Sequence, residues 1–379
     1  MPELPEVETI ARDLRGLVTG VRIAGAACNW PPTLRSHEPA AFAAALAGRE
    51  IQGVGRRGKQ LLVWLGPKAR ASRAAVASRA PAPAAPAAAA AVPPAAEPAV
   101  LTIHLKMTGQ LFVVEAGTPQ DRHVHLVLGL ADGRELRFRD MRKFGRIGLY
   151  RRDEATGEPA AGDADGVLAT GAEPLSDDFT ARRFGELLGR RRGRLKTLLM
   201  NQDFLAGVGN IYADESLWRA RLHPLRDAQS LKPDDGRRLH KALRDVLGEA
   251  VERRGSSIDD YTAPEGDGSM QEHLGVYQRA GEPCLRCGRP IRRIVVGGRS
   301  THFCSWCQRL PGGAPGRAGG GRTRRGPRWT ELDGEGALGR TRSEEERVRR
   351  AAATRKAAAT RRAAARAGGA VAVRVGGPA

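Results

Sequence analysis

The chain has 379 residues, room for two or three domains, and carries 62 Lys+Arg against 42 Asp+Glu, a formal net charge of +20 with a pI near 10.8. That excess points to a polyanionic partner, nucleic acid first, and only half of it sits in the tail, where residues 311–379 hold 16 basic and 6 acidic side chains. No charged start leads into about 18 uncharged apolar residues, so a signal peptide and a membrane span are excluded from the reading, and a cytoplasmic protein with reduced cysteines is expected.

The chain opens Met1-Pro2-Glu3-Leu4-Pro5-Glu6. Initiator methionine is normally removed before proline, which would leave the secondary amine of Pro2 at the terminus. An α-amino group titrates at about 7.7–8.0, so part of it is nucleophilic near neutrality. Its attack on an aldehyde-like carbon gives an iminium ion, an electron sink. Glu3 beside it can move protons. The same residues also suit the first turn of a helix, where Pro and Glu are favoured.

Val7, Ile10, Leu14 and Leu17 are spaced for one face of a helix over residues 5–17. Short apolar runs follow at Gln60–Leu65, Val100–Leu105, Leu111–Val114, Val124–Leu130, Leu136–Phe138 and Ile147–Leu149, separated by turn signals such as Ala131-Asp132-Gly133. They predict a β-sandwich or barrel within residues 1–150. The Ala/Pro-rich stretch 66–99 cannot bury much apolar surface and is expected as a disordered loop insertion. Residues 151–175 are expected as a linker. Helical periodicity runs from Asp177 to about Gly255, broken at Gly189, Gly193, Gly207 and Gly209, inside a unit set at 176–275. Residues 276–310 form a cysteine-bearing unit, and the Gly/Arg- then Ala/Arg/Lys-rich tail 311–379 is expected to be disordered and to add nonspecific DNA affinity.

Cys284-x-x-Cys287 and Cys304-x-x-Cys307 are separated by 16 residues. Two such knuckles read as a tetrahedral Zn²⁺ site. Four thiolates leave no position open for water, so one structural Zn²⁺ is expected, holding a hairpin too small for its own core. Arg299, in Gly297-Gly298-Arg299-Ser300 between the knuckles, suits a phosphate contact as well as it suits solvent. Cys28 reads as a small buried residue.

Taken together these motifs resemble the Fpg/Nei family of DNA glycosylases/AP lyases, and the Fpg branch within it. The matching stretches are Pro2–Thr9, Arg56-Arg57-Gly58-Lys59, His104–Gly109, Asp140–Gly145, Gly207-Val208-Gly209-Asn210-Ile211-Tyr212-Ala213 and the four-cysteine hairpin. The resemblance covers residues 1–65 and 100–310. It implies an α+β multidomain protein: an N-terminal β-sandwich with an N-terminal helix, a helix–two-turn–helix domain and a C-terminal zinc-finger β-hairpin, with double-stranded DNA bound in the cleft between them. The implied activity is excision of oxidised purines, 8-oxoguanine and formamidopyrimidines, followed by β,δ-elimination, by a monomer working on the nucleoid.

By the same resemblance Pro2 is the nucleophile and Glu3 the acid that opens the sugar ring and then shuttles protons, with Lys59 and Arg299 supporting catalysis at flanking phosphates. Met107, Arg142 and Phe144 enter the gap left by the flipped nucleotide. Arg142 and Phe144, two apart, can point the same way. His104 and Asn210 complete the phosphate grip, and Lys196 and Tyr277 are further phosphate candidates. Asn210 also suits an N-cap, and helix N-termini themselves bind phosphate. Residues Gly255–Met270, with Gly266, Gly268 and Ser269, match the family's lesion-recognition loop. Asp259 and Asn201 depart from residues common in relatives. Two other readings are a Nei-type enzyme for oxidised pyrimidines and a DNA-binding protein without catalysis, which would need Pro2 blocked, for instance by retained Met1.

Overall fold

A computed structural model describes residues 1–68, 93–163, 168–256 and 268–310. Asp259, Gly266, the centre of the 66–99 insertion and the tail lie outside the described residues. No described helix is long and apolar enough to cross a membrane.

Helix α1 (Leu4–Val18) turns Val7, Ile10 and Leu14 onto a buried face, as their spacing requires. It lies on two antiparallel four-stranded sheets. One takes the order β1 (Ile23–Cys28), β6 (Val124–Leu130), β7 (Arg134–Asp140), β5 (Gly109–Glu115). The other takes the order β2 (Arg49–Arg57), β3 (Gln60–Lys68), β4 (Ala99–His104), β8 (Arg146–Arg151). Inward residues of both sheets, including Leu61, Val63, Leu101 and Ile103 against Leu126, Leu128, Leu136 and Phe138, share one core with α1 and with Phe42 and Leu46 of α2 (Pro39–Leu46). A sandwich, not a barrel, results.

Strands β1 and β2 and helix α2 are not anticipated by the apolar runs. β1 reads Ile-Ala-Gly-Ala-Ala-Cys, without the β-branched signature. In β2 the glycines are there for Trp64 of the neighbouring strand: a Cβ on Gly55 would stand 2.8 Å from its ring. The edges set for the insertion also shift, because β3 continues to Lys68 and β4 starts at Ala99. The stretch expected as a linker is partly packed structure. Trp64 donates its indole N–H to the Gly157 carbonyl (2.8 Å), and Arg151 grips Asp163 (2.9 Å).

The helical unit follows: α3 (Ala181–Gly189), α4 (Leu195–Leu199), α5 (Asn210–Arg219) and α6 (Pro233–Glu252) around a second core with Phe179, Phe204, Tyr212 and Leu243. Two antiparallel strands, β9 (Arg292–Val296) and β10 (Arg299–Phe303), turn through Gly297 and Gly298, both at positive φ (56° and 73°) as a tight two-residue hairpin requires.

Helix α5 joins all three parts. Its first turn faces α1. Its consecutive carboxylates hold the hairpin unit: Asp214 accepts the His302 N–H (2.8 Å), and Glu215 accepts those of Gly275, Val276 and Tyr277 (2.8, 2.9 and 2.8 Å).

Candidate active site and DNA interface

The start of α1 is fixed by three contacts. Glu6 accepts the Glu3 N–H (2.8 Å), closing the first turn, and Leu4 donates to the Gly207 carbonyl (3.0 Å), tying the terminus to the Gly207-Val208-Gly209 turn. The Glu3 side chain then crosses to α5. Its carboxylate accepts Gly209 N–H (2.8 Å), Ile211 N–H (2.9 Å) and Tyr212 N–H (3.4 Å), the donors a helix N-terminus leaves unpaired. The N-cap of α5 is Gly209, and Asn210 is its first residue, so the N-cap alternative for Asn210 gives way to a carboxylate from another domain.

Gly209 is required by what stands over it. A Cβ there would lie 2.3 Å from the Glu3 Cδ and 2.7 Å from the Lys59 Nζ. The catalytic candidates Glu3 and Lys59 therefore share one small space, and both are buried. Burial raises the Glu3 pKa, opposed by the Lys59 charge. Burial likewise lowers the Lys59 pKa, opposed by Glu3. Each group is thus held nearer to its neutral form than it is in water.

Around this pair opens a cavity of about 460 Å³. Pro2, Glu3, Lys59, His104, Met107, Asn210, Tyr277 and Arg299 all line it, drawn from positions as far apart in sequence as 2 and 299. His104 accepts the Lys106 N–H at Nδ1 (3.0 Å), which leaves the neutral ring's proton on Nε2 as a donor, and burial pushes its pKa down to about 3. Asn210 donates from Nδ2 to the Ser300 carbonyl (3.0 Å), joining α5 to the hairpin. Tyr277 packs edge-on against His302 at 5.2 Å.

Arg142 and Phe144 lie outside this cavity, on the exposed β7–β8 loop, with the Arg142 guanidinium 5.2 Å from the Phe144 ring centre. Met107 (37% exposed) and Phe144 (45%) are among the few large apolar side chains left in solvent. Asp140 builds both their loops. Its buried carboxylate accepts the N–H groups of Arg142 (3.2 Å) and Gly145 (2.7 Å) and the Thr108 hydroxyl (2.5 Å).

Lys196 corrects its sequence expectation. It is fully buried, its ammonium donating to Asp214 (2.7 Å) and to the Asn210 carbonyl (2.8 Å), and it does not line the cavity. It serves the helix–hairpin junction, held there by these two acceptors. Of the Arg-Arg-Gly-Lys stretch only Lys59 enters the cavity, because Arg56 bonds Glu8 (2.9 Å) and Glu173 (2.7 Å). Asn201 accepts the Asp203 N–H (2.9 Å), a loop contact.

Sequence reasoning missed Tyr212 and Ser256 and underrated Glu6. Glu6 Oε1 accepts the Tyr212 hydroxyl (2.5 Å) and the Ser256 N–H (2.8 Å), so one buried carboxylate ties α1, α5 and the residue that follows Gly255. Gln202 also went unseen. It shapes the glycine turn, accepting Gly207 N–H (2.9 Å) and donating to the Val208 carbonyl (2.8 Å). Glu6 and Tyr212 lie inside matched stretches, but nothing in the local sequence shows that these residues meet one another.

The thiols of Cys284, Cys287, Cys304 and Cys307 lie within 4.8 Å of one another. Zn–S bonds of about 2.3 Å in a tetrahedron fit this spacing, and the all-thiolate donor set is that of a closed structural zinc site.

Comparisons with known proteins agree with this arrangement. Residues 1–147 match the formamidopyrimidine-DNA glycosylase N-terminal domain, residues 170–262 the H2TH domain of the same enzymes, and residues 281–310 a zinc finger found in FPG and IleRS. The formamidopyrimidine-DNA glycosylase of Herpetosiphon aurantiacus is 43% identical over 314 residues, 81% of this chain and 100% of the relative. That of Chloroflexus aurantiacus is 44% identical over 310 residues, 81% and 98%. Among solved structures, MutM (Fpg) of Thermus thermophilus superposes with a TM-score of 0.64 at 40% identity, covering 81% of this chain and 98% of that one. Lactococcus lactis Fpg in complex with abasic-site DNA gives 0.67 at 32% identity, covering 81% and 100%. The chain is a DNA glycosylase by class, and within that class it belongs to the formamidopyrimidine-DNA glycosylase family.

Proposed function

We propose that this protein excises oxidised purines from double-stranded DNA and cleaves the strand at the resulting site through a Schiff base on Pro2. The observation that carries the reading is the convergence of Pro2, Glu3 and Lys59 on one cavity whose burial keeps the carboxyl and the amine nearer their neutral forms. Support comes also from relatives: Lactococcus lactis Fpg forms complexes with abasic-site DNA, and a variant of it with Fapy-dG-containing DNA.

In this reading the damaged nucleotide is flipped out, with Met107, Arg142 and Phe144 filling the gap. With Met1 removed, the Pro2 nitrogen attacks C1′ and the bond to the base breaks. Glu3 delivers a proton to O4′ as the ring opens, leaving the iminium. That cation acidifies C2′, and proton loss there expels the 3′ phosphate. A second elimination expels the 5′ phosphate. Lys59, His104, Asn210 and Arg299 grip the backbone, and the Nε2–H left on His104 is a suitable phosphate donor. The zinc, when bound, supplies no chemistry and holds the hairpin that carries Arg299. All of these groups come from one chain, so a monomer working on the nucleoid is sufficient.

The test is borohydride trapping on a duplex with 8-oxoguanine opposite cytosine, comparing the wild type with Pro2→Gly and Glu3→Gln and reading the N-terminal mass. An adduct on Pro2 is expected. An adduct only on a thymine-glycol duplex would move the substrate to oxidised pyrimidines. No adduct on either, with Met1 gone and zinc bound, would leave a damage-binding protein.

A further inference from the structure

The zinc-binding unit has a second charged face. Residues 276–310 contain seven arginines and one carboxylate, Glu282, which Arg279 already holds at 2.9 Å. Arg299 at the hairpin tip lines the cavity. At the other end of the hairpin, among the cysteine knuckles, Trp306 is 43% exposed and carries a guanidinium over its ring from each of two exposed neighbours. Arg289 Cζ stands 3.5 Å from the ring centre and Arg309 Cζ 3.7 Å. Two groups that close to one centre would collide on a single face, so they occupy opposite faces. Among the described residues neither reaches a carboxylate. Arg309 donates only to the Trp306 carbonyl (3.2 Å), and no hydrogen bond from the Arg289 side chain is seen.

Such a stack does what a phosphate contact needs. The indole fixes the planes of two side chains that otherwise lose much rotamer freedom on binding, and a planar guanidinium presents paired donors that match phosphate oxygens. Two like charges held across one ring are also kept together at a cost that a polyanion relieves. Strands of five residues, at about 3.3 Å each, put this stack roughly 16 Å from the Arg299 end of the hairpin, a distance over which duplex DNA presents several further phosphates. Beyond Leu310 the chain continues into the basic tail.

We infer that the Arg289–Trp306–Arg309 stack is a second DNA-backbone contact, engaging phosphates of the duplex arm outside the cavity. The inference needs only a duplex-binding protein and is independent of the chemistry at Pro2.

The test uses the full chain, zinc-replete, and measures affinity against salt on two abasic-analogue duplexes, one of about 12 and one of about 30 base pairs. For Arg289→Ala/Arg309→Ala, loss of two phosphate contacts should reduce the log–log salt slope on the long duplex by about 1.8 and remove its affinity advantage over the short one, while short-duplex binding, and borohydride trapping on the 8-oxoguanine duplex, persist. Trp306→Ala, which keeps both charges but frees them, should weaken long-duplex binding by a smaller factor with the slope nearly intact. An unchanged long-duplex slope in zinc-replete double variant overturns the proposal and would turn attention to an acidic protein surface as the occupant. A parallel fall on both duplexes overturns it as well, because the face would then belong to the lesion site. Failure of trapping alone would count against the Pro2 reading and leave this one untouched.

Discussion

The carboxylate of Glu3 accepts the backbone N–H of Gly209 at 2.8 Å, across 206 residues of chain. The residue next to the candidate nucleophile thus also satisfies first-turn donors of helix α5, and the two domains meet at the candidate site. Gly209→Ala would drive a methyl group between Glu3 and Lys59. Misplacement of about 1 Å is enough to cost on the order of 100-fold in rate, so excision should fall by at least that factor while bound zinc stays at the wild-type level. Single-turnover excision with parallel zinc analysis checks this; a near-wild-type rate would show that the pair tolerates displacement.

The pH dependence follows from the same pair. Burial raises the Glu3 pKa, so its acid form persists above the ordinary carboxyl range, and excision that needs that form declines as pH rises through the raised value. The Lys59 charge acts the other way, lowering the Glu3 pKa. Lys59→Met should therefore lower the rate and move this declining limb to higher pH. A limb that stays in place would remove Glu3 as its source.

Asp140 gives the third prediction. Its carboxylate organises the loops carrying Met107, Arg142 and Phe144. Asp140→Ala would leave buried donors unpaired, at about 1–3 kcal/mol. Urea unfolding should show that loss. Excision from a paired lesion should fall more than strand cleavage at a preformed abasic site, where there is no damaged base to extrude.

Lys196 separates structural from DNA-binding roles. Lys196→Met leaves Asp214 charged and buried without its partner, which should destabilise the protein by about 3–5 kcal/mol. Measured below the variant's unfolding transition, the salt slope of DNA binding should match the wild type, because no phosphate contact is lost. A reduced slope would return Lys196 to the phosphate grip.

Removing zinc should release the β9–β10 hairpin, and with it the contacts from Ser300 to Asn210 and from His302 to Asp214. DNA affinity and cleavage should fall after chelation, while the strand signal of the sandwich in far-ultraviolet circular dichroism stays, since that core shares no residue with the hairpin. Unchanged binding after confirmed zinc loss would contradict this.

Much was legible in the sequence because the signals are local. Knuckle spacing, the Pro-Glu terminus, the helical period of α1 and the short apolar runs of the strands each depend on neighbours a few residues apart. Strands β1 and β2 were hidden because their residues are small or polar, and their pairing is set by partners far along the chain.

What the sequence by itself determined was the chemistry available: a secondary amine beside a carboxyl, four thiols at metal spacing, and an excess of arginine. What only the tertiary structure decided was which of those groups act together. On paper Lys59 and Lys196 are both candidate phosphate-binding cations, and only Lys59 is also a catalytic candidate. The fold buries both, but it aims one at Glu3 in an open cavity and closes the other against Asp214, because a buried charge must find an opposite partner and the packing of α4 on α5 puts Asp214 at 2.7 Å from Lys196. The role of Glu6, bridging three elements through one carboxylate, likewise exists only once α1, α5 and Ser256 are brought together.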